Sequence, residues 1–390
     1  MFGIDADSRL KNLTDMGLFR HVNVYSSKQD AEIVVDGRRY INFCSNDYLG
    51  LARHPRVVSA FQQASDTYGV GSSASPMICG KSEAHEILEQ RLAKRLGRER
   101  VVLMSSGYMA NLAIISALIT SRSHSVFMDK LCHASMVDGA VLSRARIKRY
   151  RHADPDALKA LFEADQSAVK LVHTESVFSM DGDIAPLRLL ADLCSENQAC
   201  LIVDDAHGFG VIGDKGLGGL DYFCLGESDV PLLMGTFGKA LGVYGAFVAG
   251  SNEMTELIVQ HARPYIYSTA LPAAVAAAAL EALSVQEQET ALRTHLFSLI
   301  DRFRAGLEAA GIYQSLSTTP IQPLIIGSID KTMNLSQVLL QNGIFVTAIR
   351  PPTVPQNSAR LRITLSASHT EDQVDYLLEV LCKHFPAERR

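Results

Sequence analysis

The sequence predicts an α/β protein with a large, mostly parallel sheet covered by helices and a smaller α+β domain. Three observations predict it. From about residue 55, short apolar runs alternate with amphipathic stretches of helical length. Those runs are continuous rather than alternating, the pattern of strands buried on both faces. After Ser268 the texture changes to a long helical stretch, several strands and a terminal helix. The expected division is 1–45, an N-terminal arm and hairpin packing with the small domain; 46–275, the large domain; and 276–390, the C-terminal α+β domain.

Taken in order, a short helix is expected from Ser8 to Phe19, followed by an irregular arm. EIVVDGRRYINF then alternates around Asp36-Gly37, a hairpin with a two-residue turn. RVVSAFQQASDTY forms a helix ending at Gly69, and EAHEILEQRLAKRL another, capped by Ser82 with Gly97 just past its end. Strands are expected at 101–104, 125–129, 170–175, 199–205, 231–237 and 245–250, with helices between most of them. Asp154-Pro155 opens one such helix with a cap and a proline at its first position. Beyond Ser268 the expectation is one helical stretch over 271–311, strands IQPLIIG, FVTAI and ARLRITLSA, a helix near 331–342 and a final helix over 370–385.

Composition narrows the function classes. The chain has 390 residues, 47% hydrophobic and 20% charged, enough apolar content for a sizeable core. A net charge of −5 supplies no global basic field for nucleic acid or an acidic membrane. Seven scattered cysteines with no C-x-x-C pair argue against a disulfide framework or a zinc site and favour a reducing compartment. MFGIDADSRLKNL lacks the apolar core of a signal peptide, and no run reaches the ~18 apolar residues of a membrane span. A cytoplasmic enzyme that uses no metal is expected.

In open α/β sheets functional side chains gather past the carboxyl ends of strands. Four such places point to one kind of ligand. Ser105, Ser106 and Gly107 precede an apolar helix, whose first N–H groups suit a phosphate, and Tyr108 could stack on a planar ring. Asp204 and Asp205 end a buried strand, where a carboxylate needs a cationic partner such as a protonated pyridine nitrogen, with His207 close by. Lys239, in TFGKALG beside Thr236, sits among small and apolar residues that can lower an amine's pKa. His133 begins a helix and could stack on a ring or touch substrate. Each alone also reads as an ordinary cap, turn or surface residue. Together they offer a phosphate cradle, a carboxylate for a ring nitrogen, a stacking imidazole and an amine, the set required by pyridoxal 5'-phosphate. Gly208–Gly213 matches G-x-G-x-x-G, but DKGLGGLD follows where a dinucleotide-binding turn needs a helix.

SNDYLGL (45–51), TESVFSMDGD (174–183), VDDAHG (203–208), TFGKALG (236–242) and AIRPPTVP (348–355) resemble the α-oxoamine synthases. The resemblance runs over about residues 40–370. It implies the fold-type I (aspartate-aminotransferase-like) architecture, pyridoxal 5'-phosphate in the large domain and a homodimer with its active site at the subunit interface. IQPLI (321–325), AIRPPTVP and ARLRITLSA look most like the branch that condenses L-alanine with a pimeloyl thioester, on coenzyme A or an acyl carrier protein. The alternative is a sister enzyme using glycine or serine with another acyl thioester.

By position, the resemblance makes Lys239 the Schiff-base lysine and proton carrier. It pairs Asp204 with the pyridine nitrogen, His207 with the phenolic oxygen and His133 with the ring face. Gly107 and Tyr108 line the cofactor, Ser179 and Thr236 lie near the phosphate, and Ser268 and Thr269 reach the phosphate in the other subunit. Arg362 holds the amino-acid carboxylate, with Arg360 on the same strand face as the alternative and Asn46 as a further candidate; Arg20 and Thr353 lie on the acyl side. The family's glycine pair is replaced here by Ser73 and Ala74 in GVGSSASPMICG, which bears on the acyl chain accepted.

Overall fold

A computed structural model describes residues 4–312 and 315–385, so Met1–Gly3 of the N-terminal segment and residues 386–390 lie outside the described residues. The strands, in chain order, are β1 (Glu32–Val35), β2 (Arg38–Asn42), β3 (Arg100–Met104), β4 (Ser125–Asp129), β5 (Arg146–Tyr150), β6 (Lys170–Glu175) and β7 (Cys200–Asp204). They continue with β8 (Leu232–Thr236), β9 (Ala246–Gly250), β10 (Ile321–Gly327), β11 (Ile344–Phe345), β12 (Ala348–Ile349) and β13 (Ala359–Thr364). Two compact units result: a larger one of residues 46–179 and 183–293, and a smaller one of residues up to 45, 180–182 and from 294 onward.

The larger unit is built on a seven-stranded sheet in the order β3-β9-β8-β7-β6-β4-β5. β9 runs antiparallel to β3 and β8, and the other neighbours are parallel. Every residue of β4, β8 and β9 is buried, which explains their unbroken apolar sequences. β5, Arg-Ile-Lys-Arg-Tyr, is the strand that reading for apolar runs misses. It forms one edge of the sheet, pairs only with β4 and carries exposed charges, as an edge strand does. The helix Glu83–Leu96 starts at Ser82 and stops at Gly97, whose φ of 63° is left-handed.

The boundary between the units departs from 275/276 and falls at 293/294. The stretch expected as one helix over 271–311 is two, Ala273–Gln288 and Ala291–Ala309. The first is alanine-rich and buries Ala274, Ala276, Ala278, Ala279 and Ala282, packing against the helices Pro55–Tyr68 and Glu83–Leu96. It is therefore core of the larger unit rather than the opening of the next domain.

In the smaller unit β1 and β2 form the expected hairpin, with Asp36 (φ 48°) and Gly37 (φ 76°) in the positive-φ turn. β11 joins β2 in parallel, while β10, β13 and β12 form a second, antiparallel sheet. FVTAI is thus divided: Phe345 ends a strand of one sheet and Ala348–Ile349 belongs to the other. The first helix runs Ala6–Asp15 rather than to Phe19, because Gly17 at φ 66° turns the chain away.

Candidate active site

The parallel strands of the larger unit bring their carboxyl ends together. Asp204 ends β7 and lies in register with Glu175, which ends β6. Asp204 is buried, and its hydrogen-bond donors are neutral: Asn111 Nδ2 at 2.7 Å and the Ala206 N–H at 2.9 Å. Asn111 Nδ2 also donates to Ser135 Oγ at 2.9 Å, and Ser135 Oγ is 2.7 Å from His133 Nδ1. One hydrogen-bonded chain therefore joins Asp204 to His133 through two residues absent from the sequence reading. The signal for Asn111 was present: it is the one amide in the otherwise apolar helix Gly107–Leu118, and a buried amide there must find partners. Burial lowers the pKa of His133, Asp204 opposes that shift and Lys239 reinforces it.

His207 is fixed by Tyr48, whose hydroxyl is 2.5 Å from His207 Nδ1 and which is itself fully buried. Asn46 lies beside this pair, its Oδ1 accepting from the Tyr48 hydroxyl at 3.4 Å. Asp205, the other acid at the end of β7, has a different task. It accepts hydrogen bonds from Ser176 Oγ and, at 2.8 Å, from the Gly219 N–H, and burial pushes its pKa up to about 8. Gly208 and Gly218 close around it. A Cβ on Gly218, at φ 95°, would lie 1.7 Å from Asp205 Oδ2, and one on Gly208 would lie 2.1 Å from Oδ1. Of the G-x-G-x-x-G match only Gly208 meets this carboxyl; Gly210 approaches Ala240 and Gly213 approaches Asp221, and the next helix starts only at Gly219.

Lys239 lies half-buried in the turn after β8, beside buried Ala240 and Leu241. Thr236 shapes that turn: its hydroxyl donates to Gly245 O at 2.8 Å and accepts from the Gly238 N–H at 3.2 Å. Glu175 is a residue the sequence reading passed over within a motif it quoted. Its side chain is fully enclosed, with Oε2 accepting from the Ser179 N–H at 3.2 Å. Burial first, and then the neighbouring Asp204, push its pKa up to about 8, while Lys239 acts in the opposite direction. Near neutral pH Glu175 therefore keeps its proton.

Ser106 caps the helix that begins at Gly107, accepting from the Met109 N–H. Tyr108 sets its ring edge-on to His133, with centroids 6.3 Å apart at 82°, and its hydroxyl bonds the Asp138 carboxylate. Ser268 and Thr269 line a cleft with Met104, Ser105, Lys81 and Glu89. In the 69–80 loop Ser73 occupies φ 59°, a conformation that favours glycine, and Ser72 Oγ donates to Leu271 O at 2.7 Å.

The remaining candidates belong to the smaller unit. Arg362, on β13, donates to Thr364 Oγ1 at 3.0 Å. Arg360 is committed to a buried ion pair with Asp181 at 2.5 Å and also donates to Ser358 O and Met180 O, which removes it as the alternative carboxylate holder. Arg20 and Thr353 come together, with Nη2 donating to Oγ1 at 3.1 Å. Arg350 is a further residue missed by the sequence reading: its guanidinium donates to the carbonyls of Gly17 and Phe19 and so holds the arm that carries Arg20.

Comparison with known proteins gives three concordant findings. The family model of class I and II aminotransferases matches residues 38–381. The 8-amino-7-oxononanoate synthase of Cellvibrio japonicus is 50% identical over 363 residues, covering 93% of this chain and 91% of that protein. That of Methylococcus capsulatus is 49% identical over 384 residues, covering 98% of this chain and 99% of that protein. Among solved structures, a serine palmitoyltransferase from S. paucimobilis with a bound PLP–myriocin aldimine superimposes with a TM-score of 0.91 at 30% identity, covering 97% and 96% of the two chains. An 8-amino-7-oxononanoate synthase from Francisella tularensis gives a TM-score of 0.77 at 34% identity, covering 88% and 97%.

Proposed function

We propose a role for each residue of the site from one premise: the chain belongs to the 8-amino-7-oxononanoate synthase family. It is a pyridoxal-phosphate-dependent acyltransferase with the fold-type I architecture, acting in biotin biosynthesis. The reaction we assign joins L-alanine to a pimeloyl thioester, on coenzyme A or an acyl carrier protein, and yields 8-amino-7-oxononanoate, CO₂ and the free thiol.

The residues fit the cofactor. Asp204 is a buried carboxylate with neutral donors, the partner a protonated ring nitrogen calls for. Lys239 provides the amine, His133 an imidazole face, His207 a partner for the phenolic oxygen, and the 107–118 helix N-terminus with Ser179 a phosphate cradle. When bound, the pyridinium ring supplies an electron sink for the bonds at the amino acid's Cα.

The protein's own part is positional and protonic. Lys239 removes the Cα proton of L-alanine and later returns a proton to the product carbon. Asp204, held by Asn111, would pair with the ring nitrogen and keep it protonated, and Glu175 beside it stays neutral near neutral pH. Arg362 holds the alanine carboxylate, fixing which Cα bond is activated; such orientation is worth several kcal/mol of barrier. Arg20 and Thr353 hold the acyl side, where their mutual hydrogen bond supports a shared task. Gly107 and Tyr108 line the cofactor, and Thr236 shapes the lysine turn below the phosphate.

The working form we assign is a homodimer in the cytoplasm, with Ser268 and Thr269 reaching the partner's phosphate. Exposed apolar residues of the larger unit, Val70 (89% exposed), Ile78 (78%) and Tyr267 (70%), support a covered face. Among the described residues no helix is long and apolar enough to cross a membrane.

The observation that carries this reading is the convergence of Lys239, Asp204, Glu175 and His133 at adjacent strand ends. Visible absorbance of the purified protein tests it. A cofactor band that shifts with L-alanine, and not with glycine or serine, is expected; a shift with serine alone would favour the activity named for the serine palmitoyltransferase. Lys239→Ala will lose turnover by about 10³-fold or more; if it keeps wild-type turnover, the assignment fails.

A further inference from the structure

His152 lies just past β5 and has no place in the chemistry above. Its Nδ1 is 3.0 Å from Asp129 Oδ1, at the end of β4, and its Nε2 is 3.0 Å from Asp183 Oδ2. The ring stands edge-on to Phe178, with centroids 4.4 Å apart at 83°. An imidazole bonded to carboxylates through both nitrogens donates through both. Burial opposes the resulting charge, but the two carboxylates prevail and raise the pKa to about 10. Asp129 is anchored in turn by the N–H groups of Leu131 at 2.7 Å and Ala153 at 2.8 Å.

The two things His152 grips, Phe178 and Asp183, flank Ser179 in sequence. They are also tied to each other: the Phe178 N–H donates to Asp183 O at 3.0 Å, and Val177 bridges Ile184. Residues 177–184 thus form a small hairpin around Ser179; His152 ties it to the end of β4, while Arg360 and Ser317 bind its tip at residues 180–182. Glu175 steadies the Ser179 N–H from the strand side. The hairpin's own hydrogen bonds fix its shape; the bond to Asp129 ties its base to the end of β4.

We propose that His152 is a positioning residue for the cofactor's phosphate: donating to Asp129 and Asp183 at once, it pins the 177–184 hairpin to the end of β4 and so sets the place of Ser179. This rests on the assignment of Ser179 to the phosphate. Glutamine at 152 cannot reach both carboxylates with the same rigid span and carries no charge, so the tie to β4 is lost while the surrounding core is retained.

The test uses the holoenzyme. In His152→Gln, the ³¹P resonance of bound pyridoxal phosphate will move towards that of the free cofactor, and cofactor will be lost on dilution about tenfold faster. Amide exchange will rise over 177–184 and stay unchanged over the helix 107–118. A general loss of stability would not move the phosphorus line. A folded variant with wild-type ³¹P shift and cofactor retention overturns the proposal. If His152→Gln does not fold, Asp183→Asn, which removes one of the two ion pairs, gives the same readout at smaller amplitude, and no change there overturns it equally. Ser179→Ala separates the two claims. If it moves neither readout, the phosphate assignment fails; if it moves both and His152→Gln moves neither, the inference about His152 alone fails.

Discussion

Replacing Glu175 by glutamine will flatten the pH dependence of stability in the cofactor-free enzyme. The carboxyl is fully enclosed, in register with Asp204, and its pKa rises from an ordinary 4.5 to about 8. An unfolded chain releases this proton near the ordinary value, whereas the folded chain keeps it to about 8. The contribution of Glu175 is therefore undiminished below the lower value and is lost as pH rises through the window to the upper one. At 1.36 kcal/mol per tenfold change, the window from 4.5 to about 8 amounts to roughly 5 kcal/mol. Glutamine keeps a carbonyl for the Ser179 N–H and has nothing to titrate. Stability relative to wild type will thus climb across the window by that amount. The assay is denaturant unfolding of both proteins from pH 4.5 to 8.5, read as a difference because Asp205, with its own pKa near 8, contributes the same slope to both. Parallel curves over the window would mean an ionised Glu175 throughout, and would refute a Glu175 kept protonated by burial.

Two further predictions separate the assignments. Arg362→Leu will raise KM for L-alanine by about 10–100-fold with little change in KM for the acyl thioester, while Arg20→Leu will do the reverse; steady-state kinetics with each substrate varied in turn checks both. Ser73→Gly, at φ 59° in the 69–80 loop, relieves a left-handed serine at the cost of a more flexible unfolded chain, and will stabilise by about 0.5 kcal/mol in thermal melting. A destabilised glycine variant would mean that the Ser73 side chain holds the loop.

Much of this architecture is legible in the sequence, for a local reason. β4 and β6 occupy the expected 125–129 and 170–175, because each carries an apolar stretch, Val-Phe-Met or Leu-Val, in a buried strand. Asp204 and Lys239 are visible because each interrupts apolar sequence at such a strand's end. What escapes is what depends on a partner far away. Asn111 meets Asp204 across 93 positions and Tyr48 meets His207 across 159, and nothing near either residue announces the other. β5 escapes because an edge strand keeps charged side chains in water. The helix expected over 271–311 breaks at Glu289-Thr290 without a glycine or proline to mark it, and that concealed break shifts the domain boundary with it.

The closure of glycines around Asp205 carries a consequence for how this chain can vary. Side chains at 208 and 218 compete with the Asp205 carboxylate for the same few cubic ångströms, so position 208 cannot drift independently of 205. In a saturation scan, alanine at 208 will be rejected in the native background and better tolerated once position 205 is itself shortened, whereas at 218 the φ of 95° rejects it in either background. The signature is epistasis confined to positions 205 and 208, in a stretch whose glycine pattern on its own suggests a nucleotide.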